Sequence, residues 1–389
     1  MKYNFILSKL PERYELERMK SMRYLILALT LFLIAGGPGD CQAMNYSIST
    51  GPHFDWWESN TDDKGMQFYA PLRISGRDGN FSFKMLTAYA YTTLNLDGRP
   101  DRSLTNLIDT KLNFSYEFVD RFPVDILLGM DVNLPTGKTE LEISELHRML
   151  DPDLVSIHRY GEGFNANPTI VFGKTWKNFA AGIGLGYVLR GEYDYSEDIQ
   201  NYDPGNIFNI TAEAACFISD SWKISLFGEY GYLTEDQIRN TDFYREADFV
   251  LLELEIFHSG TTWDATLTLT GLFRGKSKFQ EDFDSNLETE EKNSYGDEYA
   301  AALLHRYYLS DLTTLKTQAQ VLYIDENDYN SDDPLFWGER QKYSLSFGIA
   351  RYLASHLEGE IFVRGYLVGD DPNWYHPDDD VTYRGFSTG

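Results

Sequence analysis

Residues 262–273 read TWDATLTLTGLF, with a change of character at every position. Trp263, Ala265, Leu267, Leu269, Gly271 and Phe273 fall on one side of an extended chain. Thr262, Asp264, Thr266, Thr268 and Thr270 fall on the other. A period of two marks a strand with one apolar and one polar face. The pattern recurs. Val124, Ile126, Leu128, Met130, Val132 and Leu134 stand against Asp125, Asp131 and Asn133. Val250, Leu252, Leu254 and Ile256 stand against Glu253 and Glu255, and Leu357, Ile361, Val363 and Leu367 against Glu358, Glu360 and Arg364.

Sixteen such segments are legible: roughly 46–57, 65–75, 79–95, 104–118, 122–135, 165–176, 178–192, 206–218, 221–234, 245–258, 261–274, 297–309, 313–324, 339–352, 356–368 and 380–389. Twelve or fourteen is the alternative count. Tight turns (Gly76–Asp78, Val119–Arg121, Lys177, Ser219–Asp220, Ser259–Gly260, Ser310–Leu312, Leu353–Ser355) alternate with long polar connections at 96–103, 136–164, 193–205, 235–244, 275–296, 325–338 and 369–379. The first connection, 58–64, is shorter. This alternation places all tight turns at one end of the sheet, as in transmembrane barrels with short periplasmic turns and long extracellular loops. A soluble sandwich, the competing reading, mixes loop lengths at both ends.

The polar face carries charge deep within each strand. On the lipid side a mid-strand charge costs about 2–4 kcal/mol, so these groups are expected to face a wet lumen. The predicted lumen lining is Asp125, Asp131, Glu213, Glu229, Glu253, Glu255, Asp264, Glu358 and Glu360 facing Lys111, Lys223, Lys316, Lys342 and Arg364. Acid exceeds base, which predicts a cation preference in an open pore. Trp56, Trp57, Trp176, Trp222, Trp263, Tyr230, Tyr232, Tyr307 and Tyr308 sit near strand ends, where interfacial girdles form.

The N-terminus reads as an export signal. Tyr24–Ala35 is an apolar run preceded by Lys20 and Arg23, too short to span a bilayer as a helix. Cleavage is expected after Ala43, which makes residues 1–43 a signal peptide with an N-terminal extension and 44–389 the barrel. Asp40 and Pro38 argue against lipidation of Cys41. Only Cys216 follows the expected cleavage site, so the barrel holds no internal disulfide. The formal charge of −26 excludes a nucleic-acid partner.

Leu134-Pro135-Thr136-Gly137-Lys138-Thr139, Gly161-Glu162-Gly163-Phe164-Asn165 and the Gly-rich Gly182–Tyr193 together resemble the outer-membrane barrel proteins associated with the meta-pathway of phenol degradation. The resemblance covers roughly residues 130–193. It implies a porin-like channel in the outer membrane of a Gram-negative bacterium, passing small solutes of hydrophobic or aromatic kind, and no catalytic residue. Its partners would be lipid, lipopolysaccharide and the barrel-insertion machinery. Monomeric and trimeric barrels read alike at this level. Such barrels usually finish on an aromatic residue, whereas Phe386 is followed by Ser387-Thr388-Gly389. Either the last strand is cut short or Phe386 serves in that place.

Within the 136–164 connection, Thr139 and Glu142 suit a capping box, and Leu146, Met149 and Leu150 follow helical spacing. A short helix is expected there. It either folds inward as a constriction presenting Glu142, Glu145, His147 and Arg148, or lies across the mouth. Acidic runs at Glu281–Asp284, Asp325–Asp328 and Asp378–Asp380 offer carboxylates to weakly held Ca²⁺, bridging loops to lipopolysaccharide. Their spacing is not that of an EF-hand, and the plainer reading is a solvated surface. No other metal or cofactor is indicated. A surface hydrolase would draw on His147 and His158 with Asp151, Asp153 and Ser156, an unspecific cluster. A non-transporting adhesin or a partner of an export complex is a further alternative.

Overall fold

The computed structural model describes residues 45–95, 101–141, 150–196, 199–280, 286–372 and 380–389. The expected signal peptide, the four constriction residues Glu142, Glu145, His147 and Arg148, and the acidic stretches 281–284 and 378–379 lie outside them. The described chain forms a closed antiparallel barrel of sixteen strands.

The strands are β1 (Asn45–Thr50 continuing as His53–Ser59), β2 (Lys64–Asp78), β3 (Phe81–Asn95), β4 (Arg102–Leu107 continuing as Thr110–Phe118) and β5 (Asp125–Leu134). Then come β6 (Asn165–Trp176), β7 (Phe179–Arg190), β8 (Ile207–Ser219), β9 (Trp222–Leu233), β10 (Phe249–Ser259) and β11 (Trp263–Arg274). The last are β12 (Glu298–Ser310), β13 (Thr313–Ile324), β14 (Arg340–Ala354), β15 (Leu357–Asp370) and β16 (Val381–Thr388). Each pairs with its sequence neighbours, and β16 pairs with β1 from Phe54↔Thr388 to Ser59↔Tyr383. That closure removes the edges an open sheet would present to lipid.

The boundaries differ from expectation in places. Gly76–Asp78 is strand, and the turn is Gly79-Asn80, where Gly79 takes φ +53°. A two-residue hairpin needs positive φ there, which glycine adopts without strain. β5 starts at Asp125 rather than 122, after a longer turn in which Asp120 (φ +56°) donates its N–H to the Asp125 carboxylate. β16 is only eight residues long. Below it, Asn45–Thr50 pairs only with β2, and Leu357–Ile361 only with β14, among the described residues.

Register carries the faces around the wall. Leu226, Leu254, Leu269 and Ala301 share one cross-strand row, and Phe227, Glu253, Thr270 and Ala300 the adjacent row on the opposite face. The outer face exposes Leu185, Leu226, Leu252, Leu303, Leu345 and Leu367. An apolar, exposed outer band on a closed barrel is a lipid-facing surface. At its short-turn rim, Trp222, His258, Trp263 and His305 form a chain of rings with centroids 4.5, 4.2 and 5.7 Å apart. Trp56 and Phe54 pack on Phe386 of β16. Two expected girdle residues are elsewhere: Trp57 is buried inside the barrel, and the Tyr308 hydroxyl donates to inward-facing Asp264. Alternation demands this, because Trp56 and Tyr307 already occupy the outward positions.

The long connections are not plain loops. Tyr202–Asp203, Asp236–Ile238, Thr241–Arg245, Lys278–Gln280 and Leu287–Thr289 form a second, five-stranded sheet at the long-loop rim.

The two faces make a direct prediction. Leu254→Arg should lower folding stability in bilayers by about 2–4 kcal/mol, whereas Thr268→Arg, which would stand opposite Glu255 on the inner face, should change it by under about 0.5 kcal/mol. Urea titration of the lipid-refolded protein measures both.

Candidate functional site

Residues 150–160 of the connection between β5 and β6 lie inside the bore, against the wall made by β14–β16 and β1–β4. Leu150, Leu154, Val155 and Tyr160 are buried there against Trp57, Leu94, Leu104, Tyr366, Val368, Val381 and Tyr383. Among the described residues, this apolar core of a barrel whose outer face meets lipid is thus inside its bore, under this segment.

Polar bonds fix the segment in register. Gln67 donates from Nε2 to the Ile157 carbonyl (2.8 Å) and accepts from the Ile157 N–H (2.7 Å). The same Gln67 amide donates to Thr92, whose hydroxyl is 2.8 Å from that of Tyr160. Ser156 N–H donates to Asp55 (2.9 Å), and the Tyr366 hydroxyl donates to the Leu154 carbonyl (2.7 Å). Gln67, Thr92 and Asp55 are almost wholly buried, so each of these bonds also satisfies a group that water cannot reach.

An ionic cluster pins one end. Arg340 of β14 contacts Asp151 and Asp153 of the segment at 3.0 Å each and Asp370 of β15 at 2.6 Å. Lys342 adds a contact to Asp153 at 3.2 Å. Burial pushes the Asp151 carboxyl above its usual range, and the Arg340 charge only partly offsets that. One guanidinium shared among three carboxylates leaves each under-compensated.

The root of the segment explains the glycine motifs. Asp109, in the break within β4, is buried. Its carboxylate accepts from Gly137 N–H (2.8 Å), Glu162 N–H (2.7 Å) and Asn133 Nδ2 (2.7 Å). Asp109 N–H in turn donates to the Tyr160 carbonyl. The two ends of the connection therefore meet on one carboxylate. Gly137 has no room for a side chain: a Cβ would stand 1.9 Å from the Tyr160 oxygen. Gly163 takes φ +71°. Pro135-Thr136-Gly137 and Gly161-Glu162-Gly163 are the two halves of this clasp. Glu142 of the expected capping box and the helix expected after it lie outside the described residues; just before them Glu140 has φ +54° and Leu141 bridges Ser196.

The fourteen predicted lumen residues all lie on the face that bears this core. They divide into groups. Lys223–Glu255 (3.3 Å), Lys316–Glu360 (2.7 Å) and Arg306–Asp264 (2.7 Å) pair. Glu229 accepts from Asn209, and Arg364 donates to Ser387. Asp131 accepts from Asn113 (2.7 Å), and Asp125, at the short-turn end of β5, accepts from the Asp120 N–H (3.0 Å). Lys342 belongs to the pinning cluster. Glu213, Glu358 and Lys111 are exposed on this inner face, and neither they nor Glu253 have an ion partner among the described residues.

Asp109, Arg340, Gln67 and Asp55 escaped sequence reasoning, as did inward Arg73 and Lys84. The paired glycines around residues 137 and 161–163 were the available signal. Asp151, Asp153 and Ser156, weighed above as parts of a hydrolytic cluster, are engaged in docking the segment. His158, in the same segment, has its basicity lowered by burial, then by the nearby Arg159 and Lys111 charges. For Glu162 burial acts upward, but the Arg159 hydrogen bond and charge prevail and lower it. Among the described residues no group of three or more His, Cys, Asp or Glu is placed to hold a metal ion.

No protein-family model matches the chain, and no curated protein matches it. Solved structures of similar form include a loop L8 deletion mutant of OmpT, an outer membrane protein of Vibrio cholerae, at 12% identity, covering 89% of this chain and 99% of that one, with TM-score 0.37. An anion-selective porin from Comamonas acidovorans has 11% identity, 89% and 100% coverage and TM-score 0.36. OpdQ of Pseudomonas aeruginosa has 10% identity, 90% and 98% coverage and TM-score 0.40. At such identities and scores the likeness carries no functional weight. The strand count and closure rest on this chain's own pairing.

Two outcomes follow from the docking. Arg340→Met leaves three carboxylates with Lys342 as their remaining neighbour and should weaken docking of 150–160 by about 3–5 kcal/mol, seen as lost amide hydrogen-exchange protection. His158 has a depressed folded-state pKa, so its contribution is full above the ordinary histidine value near 6.5 and declines as pH falls below it. Protection of 150–160 should therefore drop between pH 7.5 and 5, and His158→Gln should flatten that drop.

Proposed function

We propose that this chain is an outer-membrane channel of a Gram-negative bacterium, through which small hydrophilic solutes diffuse past the docked 150–160 segment. The observation that carries the reading is the inner wall itself. Arg73, Lys84, Lys111, Glu213, Glu358 and Glu360 face inward in a closed barrel and are nevertheless exposed. Charged side chains at these depths stay solvated only if water fills the space before them. The segment lies on one side of the bore, against β14–β16 and β1–β4, so it narrows the passage beside β5–β12.

The resemblance to the phenol meta-pathway barrels implied hydrophobic or aromatic solutes. The lining favours hydrophilic ones instead, because Ser, Thr, Asn, Gln and charged residues dominate the inward positions while most rings face lipid. A cation preference is part of the proposal. Glu213, Glu229 and Glu253 line the wall formed by β8–β10, opposite the docked segment, and Asp194, Asp203, Glu235 and Asp242 add negative charge at the long-loop rim. Arg73, Lys84 and Lys111, exposed inward cations with no salt bridge among the described residues, stand on β2–β4. Cations and anions would thus follow different sides of one bore. Cleavage after Ala43 would leave one residue, Met44, before β1.

Planar-bilayer recording of the refolded 44–389 chain tests the reading. A steady ohmic conductance is expected, with a reversal potential in a KCl gradient favouring K⁺. Replacing residues 150–160 with a short Gly/Ser linker should raise the conductance. A barrel that is heat-modifiable on gels but electrically silent in both forms would overturn the proposal.

A further inference from the structure

Beneath the clasp, the inner wall holds a recess of about 620 Å³ between β2 and β7, roofed by Glu162. Pairing register lays out its floor as two rows. Arg73, Leu86, Lys111, Asn133 and Asn165 stand opposite one another in turn across β2–β6. Ser75, Lys84, Asn113, Asp131 and Asn167 form the next inward row toward the short-turn rim.

Two features of this grid ask for a ligand. First, Arg73, Lys84 and Lys111 line its β2–β4 end and form no salt bridge among the described residues, Lys111 acting on Glu162 only at longer range. Of the two acids lining the recess, Glu162 is paired with Arg159, and Asp131 accepts from the amides of Asn113 and Asn167. Second, the amide oxygens of Asn133, Asn165 and Asn167 are enclosed and have no donor. Asn133 is 8% exposed, and its Nδ2 is committed to Asp109 and the Gly163 carbonyl, which fixes its oxygen as the atom left over. The Asn167 Nδ2 likewise points to Asp131. A buried acceptor without a donor is costly, on the order of 1–3 kcal/mol each.

We propose that the recess is a binding station for a hydroxylated organic anion of the sugar-acid type. Its carboxylate would sit among Arg73, Lys84 and Lys111, and its hydroxyls would donate to the Oδ1 atoms of Asn133, Asn165 and Asn167. The span agrees. From β4 to β6 is two strand spacings, about 10 Å, which an extended six-carbon hydroxy acid with its flanking hydrogen bonds bridges. An inorganic anion satisfies the cations and leaves the amide oxygens bare. A neutral sugar does the reverse. An amino acid would need a free carboxylate for its ammonium group, and neither Asp131 nor Glu162 is free. The inference rests on the channel reading and names the solute class that reading leaves open.

The test uses gluconate as probe. Titrated into the micelle-refolded 44–389 barrel by calorimetry, gluconate should bind with a Kd of order 1 mM, with acetate and glucose each at least about tenfold weaker. The same titration in bilayers should reduce the KCl current saturably. Lys84→Gln/Lys111→Gln should abolish binding, and Asn167→Leu should weaken gluconate by about tenfold while leaving acetate unchanged. Asn167 is chosen over Asn133 because the latter also holds the clasp. Gluconate binding no better than acetate, equal binding of alanine, or binding that survives Lys84→Gln/Lys111→Gln would overturn the station. Calorimetry reads this even from an electrically silent barrel, so failure of the station and failure of the channel are told apart.

Discussion

A strand in hydrocarbon must give every backbone N–H and C=O a partner, because no water is present to take them. Everything else in this molecule follows from meeting that demand by closure. β16 supplies the closing contact with only eight residues, paired to the His53–Ser59 half of β1. Once the ring is shut, each residue's parity decides whether it meets lipid or the bore. The leucine-rich outer band and the Asn, Thr and Lys inner wall are two readings of one alternation.

The interior then faces a different problem. A sixteen-strand cylinder is too wide for its own side chains to fill. Here one connection fills part of it, bringing its own apolar residues to Trp57, Tyr366 and Tyr383. The arrangement combines a small hydrophobic core with reciprocal amide bonds from Gln67 and a shared cation, Arg340. The hydrophobic contacts supply attraction without direction, while the Gln67 pair and the Asp109 clasp set position. Removing any one leaves buried polar groups unmatched, which is why the segment behaves as part of the wall rather than as a free loop.

The alternation made the barrel legible because two solvents enforce it residue by residue. It also reaches further than a simple search for terminal aromatics. Trp56 and Trp57 are adjacent, so only one can face lipid, and counting parity from Phe54 assigns that place to Trp56. Tyr307 and Tyr308 divide the same way. What the sequence hid was any feature created between distant strands. Nothing near Asp109 announces that it joins both ends of a connection about thirty residues long. Arg340 looks like an ordinary strand-start cation until Asp151, Asp153 and Asp370 converge on it. The helical spacing of Leu146, Met149 and Leu150 suits a mouth-covering and a bore-filling segment equally. The glycines were the partial clue, since Gly137 and Gly163 mark backbone crossings that tolerate no Cβ or need a left-handed turn. The cation triad and the asparagine acceptors were individually visible as polar positions. Their assembly into one recess depends on register across five strands.

The small sheet at the long-loop rim has a consequence of its own. Its five strands come from three successive connections, and the neighbouring one is tied in through Asn327, which donates to the Ser294 and Leu335 carbonyls. Further along, Gly338 N–H bonds to Pro372, and Asn60 to the 380–382 stretch. The entrance is thereby a laced collar rather than a fringe of independent arms. In the proposed channel, this collar is the place where size and charge would sort molecules arriving from outside. A change in one arm's length would be transmitted sideways to its neighbours.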